Sequence, residues 1–298
     1  MNKDIPFEAR AVAKRYGKHD ALRDISLSLG EGRVIGLLGR NGAGKSTLLN
    51  LASGLALPTA GECLTFGVPT ARLGEPELAR MGLVQQDARL LEWMSVRQHL
   101  DFHAHMHLRW DRALEARLLK ELELDASRVT VQLSPGDRQK LAIMLAMCHR
   151  PALLLLDEPM SALDPIVRGR LIGVLLELLR DDGCTVVISS HLLSDIEKLI
   201  DWVVCLHEGL LVEDCAFDAL QESFSEWTLT SPAGALPARF DAPFIISQQG
   251  HERMRRLTVR TDKPEAAQAF AEQHRAQLST RALTLDEIFP HITSNRTR

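Results

Sequence analysis

The chain has 298 residues, 45% of them hydrophobic and 25% charged, which excludes large-scale disorder and allows one large domain plus a smaller one. Its 35 basic and 39 acidic residues give a formal charge of -4, against a general nucleic-acid binder or a polybasic membrane anchor. No apolar run approaches the roughly 20 residues that span a bilayer, and MNKDIPFEARAVAKRYG at the N-terminus lacks the apolar core of a secretory signal, so the chain reads as cytosolic.

In chain order, the first strong pattern is RVIGLLG (33–39), an apolar run without polar alternation, as in strands covered on both faces. It leads into GRNGAGKST (39–47), a match to G-x-x-x-x-G-K-[ST], and then into a helical pattern from Lys45 to Ala56. A strand, a glycine-rich loop and a helix in that order form a phosphate cradle. Gly39, Arg40, Asn41, Gly42, Ala43 and Gly44 let the backbone wrap a phosphate, Lys45 reaches the β and γ phosphates, and Ser46, followed by Thr47, offers a hydroxyl to Mg2+.

From about Leu90 to Arg150 there is helical periodicity, at Arg112 to Glu123 and Asp137 to His149, and no strand-like run; this reads as a helical insertion. HAHMH (103–107) places only His103 and His107 on one helix face and reads as a solvated face rather than a metal site. LSPGD (133–137) is a well-built helix start, with Ser134 as N-cap, Pro135 at the first helical position and Asp137 three residues after the cap.

ALLLLDE (152–158) is an apolar strand ending in two carboxylates. Asp157 is placed to hold Mg2+ through water, and Glu158 to polarise an attacking water as general base. A helix over Val167 to Arg180, a strand TVVISSH (185–191), a helix over Leu192 to Ile200 and a strand WVVCLHEG (202–209) follow. This alternation predicts an α/β fold around a mostly parallel sheet. Five cysteines (Cys63, Cys148, Cys184, Cys205, Cys215) without a C-x-x-C predict buried or idle thiols.

After about Ala216 the texture changes. SPAGALPARFDAP (231–243) reads as a linker, followed by strand-like FIISQQ and RRLTVRT, a helix near Lys263 to His274 and ALTLDEIF. RMRR (253–256) reads as a solvated strand edge. The expected division is 1–217 for a nucleotide-binding domain, with a helical subdomain at about 90–150, and 218–298 for a small C-terminal α+β accessory unit.

The order of these motifs resembles that of the ATP-binding cassette (ABC) ATPases over about residues 5–215. Tyr16, the only tyrosine, stands where that family places an aromatic ring under adenine. GLVQQ (82–86) is similar to the Q-loop, which gives Gln86 a role at Mg2+ and the attacking water. SALD (161–164) is similar to the D-loop, with Asp164 at its end, and ISSH (188–191) to the switch strand ending in a γ-phosphate-sensing His191. LSPGD stands where the signature LSGGQ belongs, so Ser134 and Gly136 are expected to face the γ-phosphate held by a second cassette.

The resemblance implies a P-loop ATPase that binds ATP and Mg2+ and packs head to tail with a second cassette, identical or related. It also implies a separate integral membrane permease docked on the helical insertion and Q-loop, no nucleic-acid partner, and a peripheral position on the inner face of the cell membrane. HLRWDRALEARLLKELELD (107–125) and a C-terminal unit ending TLDEIF look similar to cassettes of ABC-2-type export permeases, so export is the expected direction. The alternative is a soluble ABC-type ATPase or a nucleotide-dependent regulatory dimer. Two positions depart from the signature. Pro135 replaces Gly at no cost to the helix start, whereas Asp137 replaces Gln with a carboxylate expected to repel the γ-phosphate and weaken ATP-driven dimerisation.

Overall fold

The computed structural model describes residues 5–294 except 88, 192, 233, 264 and 265. The chain divides into two compact units, Met1–Asp214 and Cys215–Arg298. The first contains strands β1 (Phe7–Tyr16), β2 (His19–Leu29), β3 (Val34–Leu38), β4 (Ala60–Thr65), β5 (Val68–Pro69), β6 (Met81–Val84), β7 (Leu153–Asp157), β8 (Thr185–Ser189), β9 (Trp202–His207) and most of β10 (Leu210–Ala216). Its helices are α1 (Lys45–Ala52), α2 (Glu75–Leu78), α3 (Val96–Met106), α4 (Arg112–Glu121), α5 (Pro135–Met147), α6 (Pro165–Asp182) and α7 (Leu193–Ile196).

The expected parallel sheet is present, in the order β10-β9-β3-β8-β7-β6. Every residue of β3, β7 and β8 is buried, which is why these runs show no polar alternation. Burying each of Leu153 to Leu156 completely contributes about 1.5–3 kcal/mol, and Leu155→Ala would cost about 2–5 kcal/mol. The parallel register pairs β3 with β8 and β9, and β7 with β6 and β8, so the ends of β3, β7 and β8 lie side by side.

A second sheet, β2-β1-β4-β5, was not legible as strands. In β1 the buried residues Phe7, Ala9 and Val12 break the two-residue period because bulges shift the register between Ala9 and Val12, with Ala11 at φ 47. Between the sheets Phe7, Ile25, Leu37, Leu48, Leu51 and Leu155 belong to one buried core.

Local chemistry sets the helix limits. Helix α1 ends at Ala52, short of the expected Ala56, with Gly54 at φ 76. Helix α6 begins on the Asp164 cap with Pro165 at its first position and ends at Gly183 in the left-handed region, longer than its apolar period alone implies. The segment 90–150 is helical as expected, through α3, α4 and α5, and no strand falls within it among the described residues.

Among the histidines of HAHMH the solvated reading holds for His105 alone. His103 and His107 are half-buried, the His107 ring stacks on His149 at 4.2 Å, and burial pushes His103 and His149 down to about 4. Among the described residues no group of three or more His, Cys, Asp or Glu could hold a metal ion. All five cysteines are free thiols, four of them buried.

The second unit comprises α8 (Phe217–Ser223), β11 (Phe224–Thr230), β12 (Ile245–His251), β13 (Met254–Arg260), α9 (Ala266–Gln273), β14 (Gln277–Ala282) and α10 (Leu285–Ser294). Its antiparallel sheet runs β12-β13-β11-β14 around Trp227, Leu229, Leu257 and Val259, with Ala267 and Ala271 of α9 in the same core. Because β11 precedes residues 231–243, that segment is a connection inside this unit rather than a linker between units. Leu236 and Phe240 of the segment are buried, and the Gln248 side chain bonds both Phe240 N and Phe240 O. RMRR lies largely on β13, an inner strand, so it is not a sheet edge; Arg256 stays exposed because side chains alternate across the strand.

Candidate functional site

At the ends of β3 and β7, the two strands that flank β8, the chain turns into a cavity of about 540 Å³. Gly44 caps α1 at φ 109, and a Cβ there would come 2.7 Å from Ala21 O and 2.6 Å from Leu22 Cδ2, so the turn admits only glycine. This places Asn41 through Thr47 along one wall of the cavity. Gly39 and Arg40 do not line it; their carbonyls accept hydrogen bonds from Lys45 Nζ at 2.8 and 3.4 Å.

The opposite wall is the end of β7. Asp157 Oδ1 accepts from Ser189 Oγ at 2.7 Å, and Glu158 N donates to the same hydroxyl at 2.9 Å. Ser189 is thus a pin between β7 and β8, made possible by the parallel pairing of Asp157 with Ser189. ISSH reads locally as a strand end, and only the pairing of β7 with β8 sets its Ser189 against Asp157. Glu158 itself sits at φ 49, a conformation costing about 1–2 kcal/mol for a residue with a side chain. Its carboxylate is nonetheless held: Oε2 accepts from His191 N at 3.2 Å and lies 2.6 Å from His191 Nδ1, while Oε1 lies 3.9 Å from Lys45 Nζ.

Tyr16, Ala21 and Gln86 complete the cavity lining, with His19 beside Tyr16 across the hairpin turn. Ser46, Asp157 and Gln86 bring hydroxyl, carboxylate and amide oxygens to one space, a hard-oxygen donor set that fits Mg2+ completed by water and phosphate.

Ser134, Gly136 and Asp164 lie outside this cavity. Ser134 Oγ accepts from Asp137 N at 3.1 Å, the expected helix cap. Asp164 Oδ1 accepts from Ile166 N and Val167 N, both at 3.0 Å, and those bonds hold its carboxyl below the usual range, Val167 first. A Cβ on Gly136 would stand 2.7 Å from Ala162 O, so α5 begins pressed against the 161–164 loop. Asp137 is no bare carboxylate: Lys140 Nζ lies 3.1 Å from Oδ1 and an Arg128 Nη 3.2 Å from Oδ2. Burial opposes its charge, but hydrogen bonds from Lys140 and Ser134 and the charges of Lys140 and Arg128 outweigh this and lower its pKa. The cluster carries net charge +1, which removes the premise of the expected repulsion.

The family pattern described as ABC transporter matches residues 22–161. The aliphatic sulfonates import ATP-binding protein SsuB of Escherichia coli strain K12 is 36% identical over 218 residues, covering 73% of this chain and 84% of that protein. The chain belongs to the ABC transporter family of ATP-binding subunits. Solved structures agree with the fold of this cassette. The ATP-binding subunit of an ABC transporter superposes with a TM-score of 0.66 at 27% identity, covering 72% of this chain and 91% of that one. The dimeric bacterial ABC transporter cassette MJ0796 gives 0.64 at 27% identity, covering 71% and 98%. The relative named above is an import protein, so it gives the expected export direction no support.

Proposed function

We propose that this cassette binds Mg-ATP in the 540 Å³ cavity, hydrolyses it, and passes the resulting dimerisation cycle to a separate membrane permease. The observation that carries this reading is the convergence of Lys45, Asp157, Glu158, Gln86 and His191 on one space that also reaches Tyr16. Adenine stacks on Tyr16, the backbone of Asn41 to Thr47 wraps the phosphates, and Lys45 balances their charge. Ser46, Gln86 and Asp157 hold Mg2+, which neutralises phosphate charge when bound.

Glu158 then accepts a proton from water as that oxygen attacks the γ-phosphorus; the bond to the β–γ bridging oxygen breaks and ADP departs with the released electron pair. His191, bonded to Glu158, orients the carboxylate. Ser134 and Gly136 at the start of α5, with Asp164 at the end of the 161–164 loop that packs against Gly136, serve the ATP of a second cassette, identical or related. Solved cassettes include the dimeric MJ0796 and its post-hydrolysis form with ADP and Pi, which supports both the pairing and the chemistry.

No helix among the described residues is long and apolar enough to cross a membrane. We therefore assign membrane contact to the permease, which holds the cassette at the cytoplasmic face, and leave the direction of transport to that permease. Residues 1–217 form the ATP-binding part in this reading and 218–298 an accessory part. Calorimetric titration of Mg-ATP tests it: Lys45→Ala should lose at least about 100-fold in affinity, the order of removing a preorganised charge-stabilising group. Unchanged binding in Lys45→Ala would remove the nucleotide from this cavity, and failure of an integral membrane protein to co-purify from the native host would remove the permease.

A further inference from the structure

Tyr16 stands at the tip of the β1–β2 hairpin, 48% exposed, beside a tight turn with Gly17 at φ 58. A bare ring at such a place samples several rotamers, and a base that stacks on it must first order it. Lys14 changes that situation. It lies two residues earlier in β1, and its Nζ sits 4.8 Å from the Tyr16 ring centroid. The same ammonium donates to Leu57 O at 2.7 Å, in the segment that follows α1.

Two further bonds fasten that segment to β1: Thr59 N donates to Ala13 O at 2.8 Å, and Arg15 N donates to Thr59 Oγ1 at 3.0 Å. The hairpin that carries the ring and the chain leaving the phosphate-loop helix are thereby joined on both sides of Lys14. Tyr16 lines the cavity and Lys14 is not among its lining residues; an ammonium over one face of the ring leaves the opposite face open to a base. An ammonium over one face of an aromatic ring is attracted by its quadrupole, so it fixes the plane of the ring without covering the stacking side. The across-turn ion pair of Arg15 with Asp20 stiffens the same hairpin.

We propose that Lys14 is a positioning residue for the nucleobase: it clamps Tyr16 from behind and, through Leu57, sets the base platform at a fixed distance from the phosphate loop. The proposal rests on the nucleotide reading of the cavity. Because Lys14 touches neither the base nor the phosphates, its loss registers in nucleotide affinity and KM, through the ring.

The test is a double-mutant cycle read by calorimetric Mg-ATP binding and by steady-state kinetics on the full chain. Lys14→Met should weaken ATP binding about two- to fivefold, the equivalent of an exposed cation–π contact, and the change should fall on KM rather than kcat. Lys14→Arg, which keeps a cation over the ring, should restore affinity, and Lys14→Gln serves as a second neutral variant should the Met variant fold poorly. In a Tyr16→Leu background neither neutral variant should weaken binding further, since coupling through the ring requires the ring. Unchanged affinity in both neutral variants, or an equal loss with and without Tyr16, overturns the proposal. Absence of ATP binding to the unaltered chain overturns instead the nucleotide reading on which it rests.

Discussion

Replacing Glu158 by Gln separates nucleotide binding from turnover, and the structure sets the scale of both. Glu158 Oε1 lies 3.9 Å from Lys45 Nζ, with the two side chains only 8% and 7% exposed. At that separation unit charges attract by about 4 kcal/mol at an effective dielectric of ~20, and desolvation of the two ions offsets much of it. An incoming triphosphate competes with Glu158 for the ammonium and also meets the carboxylate's own repulsion. The neutral amide removes both penalties and leaves a net gain of about 1–2 kcal/mol, so Mg-ATP should bind about five- to thirtyfold more tightly. Turnover should fall by about 10²- to 10⁴-fold, because no carboxylate is left to take the proton from water. Calorimetric titration measures the first quantity and phosphate release the second. Weaker ATP binding in Glu158→Gln would refute the competition between Glu158 and phosphate for Lys45, and undiminished phosphate release would refute Glu158 as the base.

Asp137→Gln should leave ATP-driven dimerisation within about threefold of the parent, since Lys140 and Arg128 already balance the carboxylate; losing those charged hydrogen bonds should destabilise the chain by about 1–3 kcal/mol. A dimer tightened tenfold or more by sedimentation would show that the charge reaches the phosphate after all. Gly136→Ala must displace Ala162 O, 2.7 Å from the new Cβ, and should cost about 1–3 kcal/mol of stability, read as a lower midpoint in urea. Acid should destabilise the chain through His103 and His149, whose pKa values fall from 6.5 to about 4 on burial. Both are kept neutral in the fold while the unfolded chain takes up protons, so the stability they contribute is present above about pH 6.5 and lost progressively down to about pH 4. A midpoint that rises as pH drops through that window would contradict this sign.

The sequence by itself determined whatever is contiguous in the chain and read by a local period. The apolar runs that became β3, β7, β8 and β9, the glycine loop before Lys45, the paired carboxylates Asp157 and Glu158, and the Ser134–Pro135 cap of α5 all carry their signal within ten residues or so. Their order was enough to give the α/β class and the family. Tertiary structure alone decided what depends on register or on close approach between distant segments. The bulges of β1 hid a strand from period-two reading, and RMRR became an inner strand only because β12 and β11 pair on either side of β13. Ser189 reached Asp157 through the parallel register of β7 and β8, and the Asp137 carboxylate met Arg128 from the preceding loop. Charges and hydrogen-bonding groups act over a few ångströms of space, whatever their separation along the chain. The sequence therefore names the groups that belong to the site, and the fold decides which of them are close enough to share a proton, a charge or a phosphate.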